Sequence, residues 1–152
     1  MTELMPDEME KLGFTLFKEF ARLEYSLKRA GFHGGNGEKA TANWDTFAVA
    51  IRDKLAADSE IEESRKYMEA NPPKQQMVRK GRLVWEPSVA DAHPIHNLLL
   101  CVRRVRNNLF HGGKFNDGYF EPERSAELLT HSLRILEACL RASSDVRSAY
   151  DG

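Results

Sequence analysis

Between Asp7 and Ala30 the large apolar residues fall at Met9, Leu12, Leu16, Phe20, Leu23 and Leu27, in steps of three and four. That rhythm lays one continuous stripe along an α-helix and is incompatible with the two-residue period of a strand. It returns at Ile95, Leu98, Leu99, Val102, Val105 and Leu109, and again at Ala126, Leu129, Leu133, Leu136 and Leu140. A shorter version follows Asn43, a residue suited to helix capping, at Trp44, Phe47, Ile51 and Leu55. Helices with one apolar stripe each bury it against one another, so the chain is expected to form a helix bundle.

The breaks between stripes refine this expectation. Gly31 stops the first helix, and the Gly-rich run to Ala42 reads as a loop. Ser59-Glu60-Ile61-Glu62 fits a capping box opening a short charged helix that must end before Pro72-Pro73. "KQQMVRKGRLVWE" then changes period, two β-prone runs flanking Lys80-Gly81, which predicts a small hairpin. Pro94 suits the first turn of the next helix, Gly112-Gly113 closes it, and Pro122 starts the last. The polar residues 143–152 are expected to fray. The expectation is all-α: a four- to five-helix bundle in one domain over 1–152. Its core spans about 7–142, and the hairpin is inserted between the N-terminal and C-terminal helix pairs.

A chain of 152 residues can bury a core without disulfides or metals. Its net charge of −1 supplies no overall basic excess, so any nucleic-acid surface must be a local patch. Lys74, Arg79, Lys80 and Arg82 make the hairpin one candidate patch, a solvated hairpin tip being the other reading. Cys101 and Cys139 sit in apolar helical stretches without CxxC spacing and read as buried thiols of a reducing compartment. No apolar run approaches the ~18 residues of a membrane span, and the N-terminus is acidic, so a cytoplasmic protein is expected. His93 and His96 could be half of a zinc site, but no acidic or cysteine pair at ligand spacing joins them. Helix capping for His93 and solvent for His96 are the readings preferred, with no metal and no cofactor. His131 reads as a satisfied boundary residue, and Trp44 and Trp85 as anchors of the core or hairpin.

The tetrapeptide Phe-His-Gly-Gly occurs twice, at Phe32–Gly35 and Phe110–Gly113. Glycine just past a helix end explains both copies, and their unlike flanks argue against a repeat. What differs is the residue content upstream. Before His111 stand Arg103, Arg104, Arg106, Asn107 and Asn108, and the four-residue spacing of Arg103, Asn107 and His111 stacks them along one row. Such a row can bind an oxyanion and move a proton; a polar helix end with cations suited to the helix dipole is the plainer alternative. On a regular helix Arg106 lies about 140° around the axis from His111. The two can address one phosphate only if the helix loosens at Gly112-Gly113 or a second subunit completes the site.

Arg106-Asn107-x-x-x-His111 resembles the R-x(4–6)-H signature of the HEPN superfamily, including the asparagine after the arginine. "FKEFARLEYSLKRAGF" (Phe17–Phe32) and the position of the Trp85 hairpin are similar to bacterial members, so the resemblance covers most of the chain. It implies a metal-independent endoribonuclease with RNA as substrate, a toxin or defence RNase. The 2′-hydroxyl attacks the neighbouring phosphate, leaving a 2′,3′-cyclic phosphate and a 5′-hydroxyl. In that scheme His111 is general acid/base, Arg106 holds the phosphate and Asn107 orients either. Glu24 on the first helix supports the site, an ordinary surface glutamate being its other reading. Arg103 and Lys114 would bind RNA. The resemblance further implies a homodimer with the motif at the dimer cleft, and admits a cognate antitoxin as partner. Gly113 stands where the branch paired with nucleotidyltransferase antitoxins carries tyrosine, so modification by that kind of partner is not expected. The alternative reading is a catalytically silent module of the same fold that binds RNA, nucleotide or a protein.

Overall fold

The first apolar stripe winds into α1 (Pro6–Arg29), with Leu16, Phe20, Leu23 and Leu27 buried. The computed structural model describes residues 6–111 and 124–152, and the side chains of 8–110 and 124–152. Gly31, at φ +98°, stops α1: its N–H donates to the Lys28 carbonyl while the Phe32 N–H reaches back to the Leu27 carbonyl at 2.8 Å. That pair of bonds satisfies the last carbonyls of the helix and requires the left-handed backbone glycine supplies. The expected loop beyond it contains a two-residue ribbon, β1 (His33–Gly34) antiparallel to β2 (Thr41–Ala42). Strands of two residues have no period to read, so the ribbon left no trace in the hydrophobic pattern.

Asn43 caps α2 (Trp44–Ala56), its Oδ1 accepting from the Thr46 N–H at 3.1 Å. Asp58, not Ser59, performs the next cap: it accepts from the Glu60 N–H and opens a 3₁₀ turn, Ser59–Ile61, leading into α3 (Glu62–Ala70). The hairpin is as expected, β3 (Lys74–Arg79) against β4 (Arg82–Pro87), with Gln76 opposite Trp85 and Val78 opposite Leu83. Lys80 and Gly81 both take positive φ, 50° and 76°, the backbone of a turn whose twist matches the strands.

α4 (Pro94–His111) begins on His93, whose Nδ1 accepts from the Ile95 N–H at 3.1 Å. α5 (Ser125–Ala142) is the central element, packed against each of the other long helices and buried on several faces. Pro122, expected to start it, lies outside the described residues, as do Gly112 and Gly113. The frayed tail is corrected: residues 144–151 form a further helix, α6 (Ser144–Asp151), capped by Ser143 and docked on α1. Arg22 holds it there, donating to the Tyr150 carbonyl through Nε and Nη2 with its guanidinium 4.7 Å from the Tyr150 ring. Among the described residues the fold is mainly helical with two small antiparallel hairpins. Among the described residues no helix is long and apolar enough to cross a membrane.

Candidate functional site

The apolar side of α4, from Ile95 to Leu109, is buried in the core, which sets the polar residues of its second half in two adjacent rows, Asn108 among them buried. Arg103 and Asn107 make one row and Arg104 and Asn108 the next, each pair one helical turn apart. Together with Leu100 they floor an open cleft of about 440 Å³ whose other wall is β3, through Gln75, Gln76 and Met77. Asn108 sets the width: its Nδ2 donates to the Lys74 carbonyl at 2.7 Å and ties α4 to the first residue of β3. Across Arg103 a smaller hollow of about 140 Å³ opens toward the ribbon, with Gly34, Thr41 and Asp45 in its wall. Arg103 is therefore the ridge shared by both spaces.

The guanidinium of Arg103 lies 5.8 Å from the centroid of the Trp44 ring, a cation–π contact. Trp44 in turn is buried, stacks on Phe20 at 5.3 Å, and donates its indole N–H to Glu24 Oε2 at 2.8 Å. Glu24 thus meets the site through an indole. Arg106 occupies the other end of this stack, 5.4 Å from the Phe20 ring and 5.1 Å from the Phe110 ring. Phe110 also stacks on Phe17, the planes 9° apart. From there Arg106 donates through Nη1 to Asn107 Oδ1 at 3.0 Å, the direct link between the signature arginine and the cleft.

The structure therefore brings Arg103, Asn107, Arg106 and Glu24 to one side of the bundle, Arg106 on the flank toward α1 and the others around Trp44 and the cleft. The helical position of residue 111, the last of α4, continues the Arg103–Asn107 row, but its side chain, like Lys114, lies outside the described residues. Sequence reasoning missed Gln75, Gln76, Arg104 and Asn108. Arg104 and Asn108 repeat the four-residue spacing one position along and were legible in principle. The glutamines enter only because the hairpin folds back along α4.

The described lining offers the chemistry of binding. Two guanidiniums offer fixed charge and planar donors for an oxyanion, and the amides offer both donors and acceptors. The described lining residues include no histidine, carboxylate or thiol. The thiols do not compensate: burial pushes Cys101 up to about 11 and Cys139 up to about 12, far from nucleophilic. His131 is buried in the core, Nδ1 2.8 Å from Ser64 Oγ and stacked on Tyr67 at 4.5 Å, a serine–histidine pair closed to substrate. His93 and His96 lie 4.8 Å apart ring to ring, and among the described residues no third histidine, cysteine or carboxylate forms a ligand cluster with them. His96 departs from its expected solvent position: it is half-buried, with Nε2 shielded and without a hydrogen-bond partner among the described residues.

No protein-family model, no curated protein and no solved structure matches the chain.

Proposed function

We propose that the chain is a metal-independent endoribonuclease of the HEPN type, acting on single-stranded RNA as a homodimer with the signature residues at the shared cleft. The observation that carries the reading is the Arg106–Asn107 hydrogen bond at the end of α4, beside a cleft walled by Arg103 and Arg104. A mainly helical bundle with a hairpin between its halves agrees with it. In the reaction the ribose 2′-oxygen bonds to phosphorus as the bond to the 5′-oxygen breaks. His111 takes the 2′-proton as general base and delivers it as general acid to the leaving 5′-oxygen, while Arg106 offsets charge on the phosphoryl oxygens. The cleft side chains contribute binding, and the proton transfer they cannot perform falls to His111.

The packing of Arg106 between Phe20 and Phe110 favours a second reading. An arginine held on two rings is a structural cation, and the same cleft would then serve a catalytically silent module that binds RNA. Product ends separate the two. Under the first reading, purified protein cleaves RNA in EDTA and leaves 2′,3′-cyclic phosphates; His111→Ala abolishes this without lowering the unfolding midpoint, and His33→Ala does not. Cleavage that persists in His111→Ala, or that needs added metal, refutes the mechanism. RNA binding without cleavage supports the silent module.

A further inference from the structure

α1 carries a second apolar stripe that the bundle does not bury. Phe14, Phe17, Ala21 and Tyr25 follow in steps of three and four, within an arc of about 80° that lies about 130° around the helix from the core stripe. All four are exposed, Phe14 at 63% and Tyr25 at 51%. α6 docks on one flank of α1 through Arg22, and α4 packs on the other, where Phe17 stacks on Phe110. The face between them is aromatic and open to solvent. Its two ends carry opposite charge. Glu10 stands one turn before Phe14 and Lys28 three residues after Tyr25, on one line of the helix and about five turns apart. Glu10 is exposed, Lys28 is half-buried, and among the described residues neither side chain forms an ion pair.

We propose that two copies of the chain pair through this outer face of α1, antiparallel about a two-fold axis level with Glu19. In that register Glu10 of one copy meets Lys28 of the other, Phe17 meets the small Ala21, and Phe14 lies beside Tyr25. A parallel pairing sets Glu10 on Glu10 and Phe17 on Phe17, so charge and size both select the antiparallel one. Lys18 meets its counterpart at the rim, a solvent-exposed repulsion of small size. A nucleic-acid strand fits the stripe less well, since its phosphates meet Glu10 at one end. The two-fold sets the two Phe17 positions about 6 Å apart along the helix axis, and each Phe17 stacks on the Phe110 that precedes His111. Both ends of α4 therefore approach one axis. The pairing stands on α1 alone; that it completes a catalytic site rests on the ribonuclease reading.

Sedimentation velocity at low ionic strength, from about 1 µM to about 100 µM, should follow a monomer–dimer equilibrium in the wild type. Glu10→Lys and Lys28→Glu each turn two attractive contacts into repulsive ones, and each should weaken the dimer about tenfold. Mixed in equal amounts, the two variants should form a dimer as tight as the wild type, because each copy offers the charge that the other lacks. A wild type that stays monomeric throughout, or a mixture that does not recover affinity, overturns the proposal. Phe17→Glu should abolish pairing; if that variant does not fold, the charge exchange at the ends of the stripe still decides. A monomer whose RNA affinity falls in Phe14→Ala also overturns it and gives the face to stacked bases. RNA cleavage followed on the same samples keeps the two readings apart. A dimer with this charge response but no cleavage leaves the interface and removes the ribonuclease; cleavage by a monomeric wild type removes the interface and leaves the chemistry.

Discussion

The imidazole of His131 is 5% exposed, between Ser64 Oγ and the ring of Tyr67. Burial holds its pKa below the usual histidine range, Arg134 adds to that, and Glu63 and Glu127 pull the other way. The neutral form therefore belongs to the folded state. Below about pH 6.5 the unfolded chain takes up a proton that the native site refuses, so this residue costs stability as pH falls and contributes no pH dependence well above that. His131→Asn keeps a polar partner for Ser64 without a titrating ring. The wild type should lose ground to it in urea midpoint between about pH 7.5 and about pH 5.5; a difference that does not vary with pH would mean the ring titrates normally. Glu24 bears on the cleft at one remove. Its carboxylate accepts from the indole of Trp44, and Trp44 carries Arg103, so Glu24 reaches the cleft by holding the platform under a cation.

At the scale of elements, α6 is a test of what holds a short polar helix. Eight residues are too few to be helical alone in water, so α6 exists because α1 receives it. Val146 is fully buried there, and Tyr150, one turn on, meets Arg22. Val146→Ala should lower unfolding free energy by about 2 kcal/mol, from two lost methyl-equivalents plus the cavity, measured by urea denaturation; a frayed tail would give no change. The signals were present as Ser143 for the cap, Asp145 in the first turn and the Val146–Tyr150 spacing, but too few apolar residues carried them to outweigh the polar composition. The long helices were legible for the opposite reason, since each writes its burial into five or six spaced residues. The β3–β4 hairpin was legible through Lys80-Gly81, whereas its placement along α4, which makes the cleft, is a tertiary fact with no local signature. For the site, the Arg103–Asn107 row could be read from spacing, and the stacking of Arg106 on Phe20 and Phe110 could not, because those partners lie on different helices or a turn away on a face chosen by packing.

At the scale of the whole molecule, a net charge of −1 provides no general attraction for a polyanion, so nucleic-acid affinity must come from where the cations are gathered. On the proposed RNA reading, Arg103 and Arg104 in one cleft, with Gln75 and Gln76 in its other wall, would divide that affinity into a part that salt screens and a part that it does not. For single strands the logarithm of the affinity falls by roughly 0.7 per neutralised phosphate for each unit in the logarithm of salt concentration. Arg103→Gln with Arg104→Gln should therefore flatten the salt dependence of a single-stranded RNA oligomer by about 1.4 in slope, read by fluorescence anisotropy across a potassium chloride series. Gln75→Met with Gln76→Met should shift the whole line downward and leave its slope alone, because an amide contact releases no counterion. A slope unchanged by removing both arginines would put the phosphate contacts elsewhere, the cationic hairpin tip at Arg79, Lys80 and Arg82 being the next surface to test. There Arg79 already spends part of its charge on Glu86, with Nε 2.8 Å from Oε1. An intact cleft with a silent hairpin would instead confine recognition to the face that α4 and β3 share.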